Sequence, residues 1–286
     1  MTIDIDHLQT WIGKTEELHD QITAPTMAGY AAMLDRVDDL APQPGDPVPP
    51  AGHWMYFLTS APMSALGPDG HTKRGGFLPP VDLPRRMWAG GRIEFIAPLR
   101  IGDAARKLST IKNVTYKQGN SGQLVFVVVE HQVFGNDGLA IREEHDIVYR
   151  DAADPNAPPQ LEKQAPEQAA WTRIIEPDPV LLFRYSALTF NGHRIHYDLP
   201  YVTEKEGYPG LIVHGPLIAT LLMDLCRRQR AETPLASFNY RAMSPVFDTG
   251  PFSVNGAPAA DGRSAALWAT TNQGGIAMQA EATFKS

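Results

Sequence analysis

Residues 183–198 read FRYSALTFNGHRIHYD, and within them Asn191, His193, His196 and Asp198 fall in eight residues, ahead of a Leu-Pro stop at 199–200. No other segment sets two histidines, an amide and a carboxylate so close together. An imidazole titrates near neutral pH and can take and return a proton, which makes His196 the leading candidate for acid–base work. Asn191 and His193 are placed to hold a water or a substrate oxygen. Asp198 either fixes the tautomer of a histidine or caps the turn before Pro200. The bland alternative for the whole stretch is a hydrogen-bonded polar turn. His193, His196 and Asp198 also form an H-x-D pair plus one histidine, as in a facial metal triad. All three would come from six consecutive residues with no clear distant ligand, so no metal is expected.

Working outward, residues 211–225 read LIVHGPLIATLLMDL, an apolar run of helical length opened by His214-Gly215-Pro216. With Pro216 in the first turn, the Gly215 N–H points outward at the positive end of the helix dipole. Such a donor can bind a thioester oxygen as it becomes enolate-like. A glycine placed for close packing fits the sequence equally well. Cys226, the single cysteine, excludes an intrachain disulfide framework and a zinc cluster, and reads as a small core residue.

The first half is expected to hold one helix within residues 8–40, carried by AGYAAMLDRVDDL after Ala24-Pro25-Thr26. A Pro/Gly-rich loop follows at 41–52. Residues 53–66 are ambiguous between helix and buried strand, and 68–84 are an irregular segment of the kind that lines sites. From Arg86 the pattern changes to strands, with a Gly-Asp turn at 102–103 and hairpins around 118–122 and Asn136-Asp137-Gly138. Residues 151–168 hold four prolines without periodicity and read as a linker between 1–150 and 169–286. The second half echoes the first: Pro245-Val246 and Asp248-Thr249-Gly250 repeat Pro98-Leu99 and Gly102-Asp103, then both halves end in strand, turn and alternating strand. Strands with few helices, occurring twice, predict a duplicated α+β fold.

The composition, 43% hydrophobic and 20% charged, supports a real core in a 286-residue chain of two ordinary domains. A net charge of −7 argues against a general nucleic-acid or anionic-membrane surface. An anionic ligand therefore needs a local basic patch. Arg85, Arg86, Lys112, Lys117, Arg227 and Arg228 are the candidates, with Arg85-Arg86 foremost and each alone more often a solvated charge. The N-terminal residues carry early acids and no apolar segment, and no run suits a membrane span. A cytoplasmic protein is the expectation.

The motif at 191–198 and the His-Gly at 214–215 resemble those of the MaoC-like hydratase/dehydratase family. In that family Asp, Asn, His and an acidic residue stand where Asn191, His193, His196 and Asp198 stand here, and Ala-His-Gly stands at 213–215. YSALTFNGHRIHYD, GFLPPVDLPRRMWAGGRIEF and KQGNSGQLVF are similar to the branch holding mesaconyl-C4-CoA hydratase, itaconyl-CoA hydratase and the mitochondrial 3-hydroxyacyl-thioester dehydratase. The resemblance implies a double hotdog, each half an antiparallel sheet around a central helix, with chemistry in the second half and binding in the first. It implies reversible hydration of an enoyl-CoA, foremost a short branched dicarboxylic one such as mesaconyl-C4-CoA or itaconyl-CoA, a hydro-lyase reaction without metal or redox cofactor. His196 is then the acid–base group, Asn191 orients water, and Asp198 or His193 supports it. Gly215 and His214 hold the thioester, and Arg85, Arg86 and Lys117 the substrate or CoA. The expected partner is an acyl-CoA thioester, and the expected assembly a monomer or a homodimer. A 3-hydroxyacyl-thioester dehydratase of longer acyl chains, an acyl-CoA thioesterase and a non-catalytic acyl-CoA-binding module are the other readings this sequence admits.

Overall fold

The alternating segments after Pro84 form four long antiparallel strands, β2 (Arg85–Phe95), β3 (Ala104–Gly119), β4 (Gly122–Gly135) and β5 (Gly138–Arg150). Along β4, Val125, Val127, Val129 and Val133 are buried while their neighbours are not, so the period of two turns one sheet face into core. The computed structural model describes residues 3–119, 122–151 and 162–286. Residues 120–121 of the expected first hairpin loop and 152–161 of the expected linker lie outside the described residues.

The second half supplies β6 (Trp171–Ile175), β7 (Leu235–Ala242), β8 (Phe252–Pro258), β9 (Ser264–Thr270) and β10 (Ile276–Phe284). With β1 (Thr15–Gln21) they make one sheet in the order β1-β3-β4-β5-β2-β7-β10-β9-β8-β6. Read outward from the β2–β7 seam, both halves run second, fifth, fourth, third, first strand. The fold is a double hotdog. The sequence echoes fall on equivalent connections, β2 to β3 and β7 to β8. At the seam a Cβ on Gly90 would lie 2.5 Å from the Tyr240 carbonyl oxygen, so only glycine allows the two halves to pair there.

The second half wraps α5 (Gly215–Gln229), in which Leu217 to Cys226 are all buried. A helix apolar on every side belongs inside. Its one buried acid, Asp224, is held by Arg228 at 2.7 Å and by Arg173 of β6 at 3.1 Å. Burial pushes the Cys226 thiol up to about 12, in keeping with a core role.

Several expectations need correcting. Residues 8–40 hold a strand as well as helix: β1 carries only one apolar residue, Leu18, so no alternation marks it, and its place comes from antiparallel pairing with β3. The helix in this region, α2 (Ala24–Met33), stops at Met33, and Asp35 takes a left-handed φ of 58°. It follows the short α1 (Ile5–Gln9). Residues 52–55 and 63–65 are single 3-10 turns, neither helix nor strand. The opening of FRYSALTF belongs to α3 (Pro179–Leu188), whose Asp178 cap accepts the Leu181 N–H at 2.8 Å. α2 packs on α3.

Candidate active site

His196 closes a single 3-10 turn, Arg194–His196, just after the Asn-Gly step. Its Nδ1 lies 2.7 Å from the carbonyl oxygen of Ile212. A carbonyl can only accept, so Nδ1 donates and Nε2 keeps its lone pair. Burial holds the His196 pKa down at about 4, against the opposing pull of the Ile212 bond. The result is a neutral base with its basic nitrogen fixed in direction.

The His214 ring stacks on His196, centroids 3.6 Å apart and planes 18° from parallel. Its Nε2 lies 2.8 Å from Ser186 Oγ of α3, and burial keeps its pKa well below the ordinary histidine value. His214 is the N-cap of α5, which places the Gly215 N–H first in a fifteen-residue helix. That N–H finds no acceptor among the described residues. A Cβ on Gly215 would meet nothing nearer than the Trp88 carbonyl oxygen at 3.9 Å. Packing therefore does not require this glycine, and its free donor at the positive helix end is the feature left to explain.

His193 meets His196 edge to face, centroids 5.4 Å apart. Burial first, then the charges of His71 and His196, lower its pKa to about 2. Asn191 accepts the His193 N–H on Oδ1 at 2.9 Å, which fixes the side chain and leaves its amide NH2 free to donate to a water. Asp198 turns away. Its Oδ1 accepts the Tyr201 N–H at 3.1 Å as cap of α4 (Leu199–Glu204), and its Oδ2 accepts from Arg194 Nε at 2.9 Å. Of the two roles the sequence allowed Asp198, the structure shows the cap. The tautomer of His196 is set by Ile212 instead.

The basic candidates do not converge. Arg85 donates to the Tyr208 hydroxyl at 3.1 Å, and the Arg86 charge bears on His193 and on Tyr149. Lys117 is exposed near the end of β3, with Nζ 5.1 Å from the Phe126 ring centroid. Lys112 faces Glu130 at 3.8 Å, Arg227 donates to Asp39 at 2.9 Å, and Arg228 to Asp224 and the Leu34 carbonyl.

Two site residues escaped the sequence reading. Asp69 and His71 reach the site from the irregular segment of the first half, the His71 ring 4.0 Å from that of His193. Asp69, His71 and His193 hold donor atoms within 4.8 Å of one another. Asp69 and His71 form a hydrogen-bonded pair, Oδ2 to Nδ1 at 3.0 Å.

A fixed neutral base beside a free amide donor, built on a double hotdog, describes an acid–base enzyme acting next to a carbonyl. The chain belongs to the hydroxyacyl-thioester dehydratase type 2 family, whose pattern matches residues 51–248. It is similar to a mesaconyl-C4-CoA hydratase of Chloroflexus aurantiacus, 49% identical over 251 residues that cover 88% of this chain and 89% of that protein. Among solved structures, a MaoC-like dehydratase of Phytophthora capsici shares the fold, with a TM-score of 0.70 at 13% identity over 99% of this chain and 98% of that one. A double-hotdog protein of Mycobacterium tuberculosis matches with a TM-score of 0.58 at 11% identity over 96% of each chain. The chain is thus a hydro-lyase of acyl thioesters. Among the described residues no helix is long and apolar enough to cross a membrane.

Proposed function

We propose that this chain hydrates mesaconyl-C4-CoA reversibly, with His196 as base and the Gly215 N–H as thioester-oxygen donor. The observation that carries the reading is the stacking of His196 on the N-cap of α5. It sets an unprotonated Nε2 beside a helix-terminal N–H with no protein acceptor. The 49% identity to a hydratase of that name supports the substrate.

In this substrate the alkene is conjugated to the thioester, and the β-carbon carries a methyl group and a carboxylate. Nε2 of His196 takes a proton from water as the water oxygen bonds to the β-carbon. The alkene electron pair moves toward the thioester, whose oxygen gains charge and is stabilised by the Gly215 N–H and the helix dipole. A proton then reaches the α-carbon, so one water has been added. The Asn191 amide orients the attacking water. Arg85 and Arg86 serve the free carboxylate or the CoA phosphates, Lys117 an outlying CoA contact. His193 shields the base. No metal or redox cofactor takes part in this scheme. The enzyme works in the cytoplasm as a monomer or homodimer of double hotdogs, with the first half, 1–150, serving binding and 169–286 carrying the base and the thioester-oxygen donor.

The test is an ultraviolet assay of purified protein on mesaconyl-C4-CoA, itaconyl-CoA, crotonyl-CoA and a longer enoyl-CoA, with mass spectrometry and a thiol reagent alongside. Gain of one water on mesaconyl-C4-CoA, with no free thiol, is expected. Preference for itaconyl-CoA or a longer chain would reassign the substrate. Thiol release without hydration would move the protein to the thioesterases.

A further inference from the structure

The scheme above leaves open the source of the α-carbon proton, and the family's own carboxylate is missing here. Asn191 stands in its place and cannot ionise, while Asp198 is engaged as a helix cap and with Arg194. Asp69 and His71 lie at the same site and have no role in that scheme.

Their loop is built to be held still. The Gly67 N–H donates to the His71 carbonyl at 2.7 Å, and the Gly70 N–H to the Gly67 carbonyl at 3.1 Å. It is docked on the second half through its own backbone carbonyls: the Arg194 N–H donates to the Asp69 carbonyl at 2.9 Å, and the Arg194 guanidinium to the Pro68 carbonyl at 3.0 Å. Gly70 lies so close to the Gly192 carbonyl that no side chain fits, and its φ of 89° also suits glycine.

Within the loop Asp69 grips His71 twice, through the backbone N–H at 3.1 Å and through Nδ1 at 3.0 Å. An ionised carboxylate can only accept, so Nδ1 of His71 carries the hydrogen and Nε2 is its reacting nitrogen. The His71 hydrogen bond outweighs burial and holds the Asp69 carboxyl well below its usual range. A carboxylate in this position steadies the imidazolium that forms when Nε2 takes a proton. Beyond the pair, His71, His193, His196 and His214 follow one another ring to ring, at 4.0, 5.4 and 3.6 Å. The row runs from the first half to the N-terminus of α5.

We propose that Asp69 and His71 are the carboxylate–imidazole pair of this active site, His71 the catalytic group that exchanges the α-carbon proton and Asp69 its positioning residue. The proposal rests on the hydratase reading. In hydration the protonated Nε2 of His71 gives its proton to the α-carbon as the enolate-like electron pair returns. His196 Nε2 has meanwhile taken a proton from the attacking water. Return of that proton to His71, through His193 or solvent, restores both groups. Dehydration runs the same steps backward, with His71 removing the α-proton.

The experiment is steady-state hydration of mesaconyl-C4-CoA by the full chain and by His71→Gln, Asp69→Asn and Asp69→Asn combined with Asn191→Asp, with thermal midpoints alongside. His71→Gln is expected to lower kcat about 10²–10⁴-fold, the span of a general acid–base group, with KM nearly unchanged. Asp69→Asn keeps every backbone contact of the loop and should lower kcat by about tenfold or more. Adding Asn191→Asp returns a carboxylate to the row and should recover part of that loss. If His71→Gln unfolds, the Asp69→Asn and rescue pair carry the test. A kcat for Asp69→Asn and for a folded His71→Gln equal to that of the unaltered chain would overturn the proposal. Activity lost to a chelator and restored by zinc would overturn it too, by making the pair metal ligands. An unaltered chain inactive on every enoyl thioester would instead remove the hydratase reading, and this role with it.

Discussion

The two halves share one strand order and differ in what fills the inner face of the sheet. Equivalent positions follow from the ladders: His145 pairs with Gly91 as Ala280 pairs with Tyr240, and Glu143 with Ile93 as Ala282 with Phe238. Gly91 and Tyr240 meet across the seam, as do Ile93 and Phe238. In the second half the small residues Ala265 and Ala282 lie in the apolar core with the buried α5. In the first half the face holds a polar layer. Glu143, only 2% exposed, accepts from His53 at 2.9 Å, from Trp54 at 3.0 Å and from His145 at 2.5 Å. His131 lies 2.8 Å from Ser109 beside it. Burial pushes the Glu143 pKa up, but the His145 charge and the bonds from His145 and His53 reverse this and keep it well below the usual value. Alanines admit a helix whose N-terminus can hold a reacting oxygen, whereas a layer of partnered charges fills the space with side chains. The shared strand order sets the register, and the residues on the face set the role.

That division can be broken by substitution, and the largest effect falls on the second half. His196→Ala should cost about 10²–10⁴-fold in hydration while the chain stays folded. A substantial fraction surviving would mean that the first half holds a working site of its own. Glu143→Ala should act the other way round, on stability. It strands the donors of His53, Trp54 and His145 and should cost about 3–5 kcal/mol, read as a lower urea midpoint. An unchanged midpoint would show the polar layer to be dispensable. Gly215→Pro keeps a residue suited to the first helical turn and deletes the N–H, so kcat should fall about 10²–10³-fold. Gly215→Ala has room and keeps the donor, and equal losses for the two variants would count against the donor role.

The last effect, one of pH, is shared by both halves. His131 in the first and His196 and His214 in the second are held neutral by burial, their pKa values lowered. Below an unfolded histidine value of about 6.5 the unfolded chain binds protons that the folded chain does not. Stability should therefore fall as pH drops from there toward the folded values, by about 1 kcal/mol per pH unit for each group. Thermal midpoints at neutral and mildly acid pH check this, and a flat profile would contradict the buried neutral state.

Much of this was legible in the sequence. The valines of β4 alternate, and the Pro and Gly-Asp echoes located the duplication. His196 and Gly215 stood out because each sits in a local pattern with a direct physical use. β1 left no trace because an edge strand such as TEELHDQ can be polar on both faces and take its place from backbone pairing alone. α3 did leave one, Asp178-Pro179, an N-cap followed by a first-turn proline that the cluster of histidines after it overshadowed. Nothing in the sequence marks Glu143 and His145 as buried, since their burial depends on His53, Trp54 and Trp88 arriving from other segments. Asp69 and His71 were hidden for the same reason: only the docking of one half on the other brings them beside His193.

Addition of water across the alkene of an intact thioester is read directly by isotope labelling. Mesaconyl-C4-CoA is incubated with the enzyme in water enriched in heavy oxygen, and the products are weighed and fragmented. One heavy oxygen is expected on the β-carbon of a product still joined to CoA, and about 10²–10⁴-fold slower labelling when His196→Ala replaces the enzyme. Heavy oxygen in a free carboxylate, with CoA released, would contradict it.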